Sequence, residues 1–196
     1  MSQDLTALLG SRICHDLTSP LGAIGNGVEL LSMTGLEGTP ELAMISESVE
    51  SANGRIRYFR IAYGAASPGQ QLGCNEIKSI LDAVGRPRKL AITLHAEDDI
   101  ARDEARLIFL ILQCCETALP WGGTVDVAPR GGGWRIVAAG ARMREIDALW
   151  EQLKVSPPPA EVAAAEVHFP LAREAARALG RPITLHRRQL RLEFSI

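Results

Sequence analysis

The sequence has no marked excess of charge of either sign, and this limits the partners it can attract. The 196-residue chain carries 21 Lys and Arg against 23 Asp and Glu, a formal net charge of −2. Such a balance provides no basic footprint, so no nucleic-acid partner is expected. Long apolar runs are also missing. Stretches such as 107–112 fall far short of the about 20 residues that cross a bilayer, so no membrane segment is expected.

Cysteine is scarce and shows no metal-binding spacing. The four thiols lie at positions 14, 74, 114 and 115, with no CxxC pair. This pattern indicates neither a disulfide framework nor a zinc site, and we expect no metal or cofactor bound to the chain itself. The start of the sequence, Met1–Leu5, lacks the basic region of a signal peptide, so we expect a cytoplasmic protein with reduced thiols.

Residues 1–66 have the pattern of two helices joined by a short break. The first extends to about Met33, and the glycines and proline of 34–40 interrupt it. Thr39 followed by Pro40 is typical of a helix N-terminus, and a second helix is predicted from there. Its apolar residues alternate at spacings of three and four, which predicts a narrow packing seam. The seam consists of Leu42, Ile45, Val49, Ala52, Ile56, Phe59 and Tyr63.

The remainder of the chain has a mixed α+β pattern. We predict a linker over 67–73 and a second domain over 74–196, because glycine, serine and proline cluster after the second helix. Gly-rich 130–133 lies between two alternating segments and predicts a hairpin. The predicted helices are 75–84, 103–119, 144–153 and 171–179; the predicted strands are 90–95, 124–128, 134–139, 183–185 and 190–196, with Pro157–Pro159 in a loop.

Two helices cannot bury two apolar seams by themselves. The simplest remedy is a second copy of the same hairpin, which predicts a homodimer with a central four-helix bundle. The alternative is that the hairpin packs on the second domain of its own chain. The narrow three-and-four stripe favours the bundle.

One histidine lies on the opposite side of the first helix from its apolar residues. At about 100° per residue, the sector predicted as core faces away from His15. That sector contains Leu9, Ile13, Leu17, Leu21, Ile24, Val28 and Leu31. The residues one turn away from His15 are small, so the imidazole is accessible to another protein.

Asp16 can accept a hydrogen bond from one ring nitrogen and leave the other as a nucleophile. Pro20, inside this helix, predicts a kink one turn after His15. From composition alone, an exposed histidine is usually just a solvated side chain.

The residues around His15 resemble a known phosphorylation motif. The run Cys14–Leu21 is similar to the phospho-accepting H-box of two-component histidine kinases. The longer run Ser11–Leu31 resembles the ChpT-type histidine phosphotransferases more closely. In that family the histidine receives a phosphoryl group from one receiver domain and passes it to another. The resemblance also implies the architecture: a helical hairpin, a linker and a degenerate histidine-kinase ATPase-like (Bergerat-type) α+β domain.

This resemblance implies roles for individual residues. His15 would carry the phosphoryl group and Asp16 would orient it, while the receivers of a hybrid kinase and of response regulators would be the partners. The Mg²⁺ for the reaction is expected on the partner receiver, not on this chain. Candidate receiver-docking residues are Ser11, Arg12, Thr18, Ser19, Gly22 and Asn26. For Arg12, a solvated charge on the helix surface is an equally good interpretation.

The second domain lacks the residues with which histidine kinases bind ATP. Gln113 and Thr117 stand where the kinases have magnesium-side asparagines, and Glu116 is expected at the surface. The segment 139–142 has no aspartate and one glycine, and 167–171 replaces a Gly-x-Gly turn. We therefore expect a fold retained without nucleotide binding or autophosphorylation.

Two other functions remain open from the sequence. The chain could be a non-catalytic dimeric scaffold or kinase inhibitor that binds receivers or kinases without carrying phosphate. It could also be a divergent histidine kinase. A Cys14 nucleophile with His15 as its base is disfavoured, because neighbours on a helix point about 100° apart.

Overall fold

The computed structural model describes residues 5–33, 39–154 and 162–196. The chain divides into two compact units, Met1–Ala65 and Ala66–Ile196. The predicted break at 34–38 and the predicted Pro157–Pro159 loop lie outside the described residues.

The first unit is a pair of packed helices, α1 (Leu5–Leu31) and α2 (Pro40–Tyr63). Pro40 occupies the first turn of α2 and Thr39 the capping position, although the threonine side chain makes no capping hydrogen bond. Near its start, α1 passes close to the end of α2. A Cβ on Gly10 would lie 2.8 Å from the carbonyl oxygen of Tyr63, and the hydroxyl of Ser11 accepts a hydrogen bond from the Ala65 N–H at 2.9 Å.

The predicted core of α1 is only partly correct. Within the chain, Val28 is buried and Leu21 half-buried, but Ile13, Leu17, Ile24 and Leu31 are between 47% and 51% exposed. The face that packs on α2 is instead centred on Cys14 and Val28, with Gly25 against Val49. The centre of this face is rotated by about 60° from Ile24, so one apolar stripe of α1 stays uncovered. The α2 seam shows the same division: Leu42, Val49 and Ile56 are buried, whereas Ile45 is 47% exposed.

The second unit contains the α+β domain. Its helices are α3 (Cys74–Gly85), α4 (Arg102–Ala118), α5 (Asp147–Glu151) and α6 (His168–Ala178). Its strands are β1 (Gln71–Leu72), β2 (Leu90–Leu94), β3 (Ile100–Ala101), β4 (Gly123–Arg130), β5 (Gly133–Ala139), β6 (Thr184–Arg188) and β7 (Arg191–Ser195). The helical N-terminal part followed by an α+β sheet domain confirms the predicted fold class at this level.

The main sheet has the strand order β2-β4-β5-β7-β6. β2 and β4 are parallel, and the other neighbours are antiparallel. The register aligns buried side chains in a row across the strands, from Leu94 through Val127 and Ile136 to Phe194. α4 packs against α6, α3 packs against β2, and residues 107–116 of α4 are buried on every side.

The predicted 130–133 hairpin turn is confirmed. Arg130 pairs with Gly133, and the two residues between them, Gly131 and Gly132, have φ of +60° and +80°. Both central residues of this turn type need positive φ, which glycine adopts without strain.

Some boundaries differ from the sequence patterns. The predicted helix over 144–153 is only Asp147–Glu151, and α6 begins three residues before the predicted 171. Gln71 and Leu72, inside the predicted linker, form strand β1, which pairs with β3. A two-residue strand is too short to show an alternating pattern, so sequence could not reveal this pair.

We predict that Gly122→Ala destabilises the second unit by about 2–4 kcal/mol. Gly122 has φ of +92°, and a Cβ there would collide with the carbonyl oxygen of Lys89. Urea unfolding followed by tryptophan fluorescence measures the effect, because all three tryptophans lie in this unit.

Gly73→Ala is the matched control. Gly73 has an ordinary extended conformation, and its Cβ would find only Asp99 Oδ1 at 3.9 Å. The substitution should change stability by no more than about 1 kcal/mol in either direction, because the lower entropy of the unfolded chain opposes the poorer capping of α3 by alanine. Equal losses in both variants would contradict this explanation.

Candidate functional site

His15 lies on a solvent-exposed side of α1. Its side chain is 83% exposed, on the side of the helix that faces away from Ile24, about 180° around the axis. Ser19, Gly22 and Asn26 on the same side of α1 are exposed as well. A partner protein can therefore reach the imidazole without a rearrangement of the hairpin.

Asp16 fixes which ring nitrogen carries the proton. His15 Nδ1 lies 3.2 Å from Asp16 Oδ1. An ionised carboxylate can only accept a hydrogen bond, so Nδ1 is the protonated nitrogen and Nε2 keeps its lone pair. This is the arrangement that a nucleophilic imidazole requires.

Arg12 binds the second oxygen of the same carboxylate. Its Nε donates to Asp16 Oδ2 at 2.7 Å, across one turn of α1. The hydrogen bond from His15 and the nearby Arg12 guanidinium hold the pKa of the Asp16 carboxyl below its ordinary value. The carboxylate therefore stays ionised and remains a hydrogen-bond acceptor. This ion pair was not predicted, although an Arg and an Asp four residues apart on a helix are its signal in the sequence.

The other predicted docking residues have different surroundings. Ser11 bonds the Ala65 N–H, and the Thr18 hydroxyl donates to the Cys14 carbonyl at 2.8 Å. Ser19 and Asn26 are exposed, and a Cβ on Gly22 would meet nothing within 4 Å. Of the six candidates, Ser11 is half-buried and the other five are exposed. Their docking role stays a prediction.

A groove between α1 and α2 opens on the His15 side of the hairpin. It has a volume of about 330 Å³ and is lined by Gly25, Val28 and Glu29 of α1 and by Val49, Glu50 and Asn53 of α2. The groove begins about three turns beyond His15 in α1. Ser32 and Ser46 complete the lining, so the groove mixes the apolar Val28 and Val49 with polar side chains and two carboxylates.

Cys14 is a packing residue. It is 6% exposed within the hairpin, and burial raises the pKa of its thiol, an effect only partly offset by the charge of Arg60. A thiol with a raised pKa is a poor nucleophile.

In the second unit, residues predicted to stand at a lost ATP site come together. His168 Nε2 lies 3.0 Å from the hydroxyl of Thr117, and that hydroxyl is 3.0 Å from the carbonyl of Gln113. A hydroxyl has one proton, which it donates to the carbonyl, so His168 is the donor to Thr117. His168 is only 5% exposed, and burial lowers its pKa to about 4. A neutral imidazole thus joins α6 to α4. Sequence gave no signal for this contact, because the two residues are 51 positions apart.

The prediction that Glu116 lies at the surface is wrong. Its side chain is only 7% exposed, and Arg88 Nη1 lies 3.4 Å from its carboxylate. Within residues 5–33, 39–154 and 162–196, no cluster of histidine, cysteine, aspartate and glutamate could hold a metal ion.

The loop after β5 is packed against the end of α4. A Cβ on Gly140 would lie 2.6 Å from the Leu119 side chain and 3.0 Å from the Gly122 carbonyl. Arg142 stacks on Trp121, with its guanidinium 3.8 Å from the ring centre. Among the residues that the structure describes, no helix is both long enough and apolar enough to cross a membrane.

Comparisons with known proteins agree on one family. Residues 74–190 match the family model described as histidine phosphotransferase C-terminal domain, which is more than half of the chain. The chain therefore belongs to the ChpT-type histidine phosphotransferase family.

Two relatives show how far the similarity extends. The protein phosphotransferase ChpT of Brucella abortus (strain 2308) is 37% identical over 130 residues, covering 65% of this chain. The matched stretch spans 62% of that relative's length. A solved structure of a bacterial phosphotransferase has 29% identity and a TM-score of 0.71, covering 100% of this chain and 97% of that chain.

We predict that His168 makes the second unit acid-sensitive. The unfolded histidine takes up a proton near pH 6.5, but the folded one does so only near pH 4. Stability should therefore fall as pH drops from 6.5 to 4, by about 1.4 kcal/mol per pH unit, and show no contribution from this residue above pH 7.

Urea unfolding across this pH range tests the prediction with His168→Gln, which keeps a side-chain donor for Thr117 but cannot titrate. This variant should lose the extra acid slope, while His186→Gln, at an exposed position, should keep it. An unchanged slope in His168→Gln would refute the prediction.

Proposed function

We propose that the chain relays phosphoryl groups between receiver aspartates through a phospho-His15 intermediate. The observation that carries the proposal is the exposed imidazole whose Nδ1 lies 3.2 Å from Asp16 Oδ1, which leaves Nε2 available as the nucleophile. Membership of the ChpT-type family supports it.

The transfer step needs little chemistry from this chain. His15 Nε2 attacks the phosphorus of an aspartyl phosphate; the N–P bond forms, and the P–O bond to the aspartate breaks as the carboxylate leaves with its electron pair. The imidazole becomes positively charged while Nδ1 keeps its proton, and the Asp16 carboxylate stabilises this charge. Transfer to the next aspartate reverses these bond changes. The Mg²⁺ that neutralises the moving group belongs to the receiver.

The hairpin supplies a platform for docking. Because α1 and α2 are packed along the Cys14–Val28 face, the backbone that carries His15 is held in place, and catalysis by positioning requires this. The small and open residues Ser19 and Gly22 leave room for the receiver around the imidazole. The groove beside Val28 and Val49, whose lining combines apolar and polar side chains, offers a docking surface for one of its elements.

We further propose that the second unit does not bind ATP. Thr117 and His168, which the resemblance to histidine kinases aligns with magnesium- and phosphate-binding positions, bond to each other. Nearby, Gly140 is packed against Leu119, which leaves little space beside the end of α4. These contacts support a fold that has kept its core and lost its ligand site.

A homodimer completes the proposal. Ile13, Leu17, Ile24 and Leu31 of α1, with Ile45 of α2, expose a continuous apolar stripe in the single chain. A second copy of the hairpin would cover this stripe and leave both His15 side chains on the outside, because they lie on the opposite side of α1.

The central experiment measures transfer of ³²P from a phosphorylated receiver domain to the full chain. Wild-type protein should become labelled and His15→Ala should not. His95→Ala, which removes an exposed histidine of the second unit, should be labelled like wild type. ATP alone should label none of them.

Each alternative gives a different result. Labelling from ATP alone would identify a divergent kinase. Receiver binding without labelling of the wild type would identify a scaffold, and labelling of His15→Ala would place the phosphoryl group elsewhere.

The dimer is tested by placing a charge in the apolar stripe. Ile24→Glu should convert the protein to a monomer in light scattering, because it would bury two carboxylates in the new interface. Ala43→Glu adds the same charge at an exposed position on α2, away from the stripe, and should leave the dimer intact. A monomeric wild type, or identical masses for the two variants, would disprove the bundle.

A further inference from the structure

We propose that Arg12 is a positioning residue that acts on His15 through Asp16, and that it is not a receiver contact. By binding one carboxylate oxygen, Arg12 aims the other at His15 Nδ1 and so keeps Nε2 unprotonated for transfer. The proposal rests on the proposed function, because it assigns a residue to that reaction.

The helix spacing explains why Asp16 needs support. Asp16 follows His15 directly, so the two side chains leave the helix about 100° apart. Asp16 is 49% exposed, and an exposed side chain visits several rotamers. The rotamer that reaches Nδ1 is therefore one of several.

Arg12 selects that rotamer from the other side. Its Nε is 2.7 Å from Asp16 Oδ2, and Asp16 Oδ1 is 3.2 Å from His15 Nδ1, so the two oxygens have separate partners. Arg12 lies one turn before Asp16, where a long side chain reaches the carboxylate without leaving the helix surface. The three residues form a chain along one helix, with the imidazole at its end.

The charge of Arg12 has a second effect. The hydrogen bond from His15 and the neighbouring Arg12 guanidinium keep the pKa of the Asp16 carboxyl below its ordinary value, so the carboxylate stays ionised and acts only as an acceptor. The proton stays on Nδ1, because a neutral imidazole N–H is far less acidic than a carboxylic acid. Transfer then needs no proton movement between His15 and Asp16, and phospho-His15 keeps its Nδ1–H.

Positioning and docking predict different kinetics. A docking residue contributes to receiver binding, so its loss raises KM and leaves the maximal rate unchanged. A positioning residue changes the maximal rate and leaves KM unchanged. Arg12→Met removes the charge and the donor but keeps an unbranched apolar chain, and Arg12→Lys keeps a donor of the same charge.

The first measurement is the tautomer of His15 in the full, unphosphorylated chain. Long-range ¹H–¹⁵N NMR correlations of the neutral ring distinguish Nδ1–H from Nε2–H. We expect mainly Nδ1–H in wild type, a clear rise of Nε2–H in Arg12→Met, and a wild-type pattern in Arg12→Lys. An Arg12→Met spectrum identical to wild type overturns the proposal.

The second measurement is single-turnover transfer from a phosphorylated receiver at varied receiver concentration. Arg12→Met should lower the maximal rate about fivefold with KM unchanged. Arg12→Lys should recover at least half of the lost rate. A higher KM with an unchanged maximal rate would make Arg12 a docking residue and overturn the proposal.

Arg86→Met is the matched control. Arg86 forms an exposed ion pair with Asp82, also four residues apart on a helix, at 2.8 Å and in the other unit. Its loss should change neither the tautomer nor the rate. A similar fall in rate in Arg86→Met would show a general effect of removing a surface pair and overturn the proposal.

The NMR and transfer measurements distinguish a failure of this inference from a failure of the proposed function. If wild-type protein accepts no phosphoryl group, the proposed function fails, but the NMR measurement still decides whether Arg12 controls the tautomer. If wild type is active and Arg12→Met matches it in both measurements, only the role of Arg12 is disproved.

Discussion

The arrangement of α1 depends on a single constraint: one helix must serve three different surroundings around its circumference. One face packs on α2 through Cys14 and Val28, the next exposes Ile13, Leu17 and Ile24, and the side opposite Ile24 carries His15. Because an α-helix has 3.6 residues per turn, these three groups of residues lie on different sides of α1, and a substitution in one group leaves the side chains of the other two in place. The hairpin can thus keep its fold, present an apolar stripe and expose a reactive side chain without conflict among these requirements.

The second unit is organised on a different principle. Its stability lies in rows of buried side chains across the sheet and in α4, which is enclosed along most of its length. The polar groups inside, Thr117, His168 and Glu116, are bonded to each other or to Arg88, so burial does not leave them without partners. These polar groups therefore serve the packing of the unit.

Sequence patterns predicted most of this architecture, and the exceptions have physical reasons. The spacing of apolar residues located α2 and α4, and the glycines located the Gly131–Gly132 hairpin, because both signals are local in the sequence. The uncovered stripe of α1 was predicted as core, since apolar residues look the same in sequence whichever neighbour covers them. The Thr117–His168 contact joins residues 51 positions apart and leaves no local trace. At the candidate site, His15 and Asp16 were found from their motif, but the ion pair of Arg12 with Asp16 needed atomic distances.

The composition of α1 beyond His15 has a consequence for its folding. Pro20 lies inside the helix, and Gly22, Gly25 and Gly27 follow within seven residues. Relative to alanine, an interior proline costs about 3 kcal/mol and each glycine about 1 kcal/mol of helix stability. Little of this segment would be helical in isolation, and in the chain Gly25 contacts Val49 while Gly22 and Gly27 would have no neighbour for a Cβ. This half of α1 therefore owes its helical form to α2 and to whatever binds it, so its order should rise and fall with its contacts.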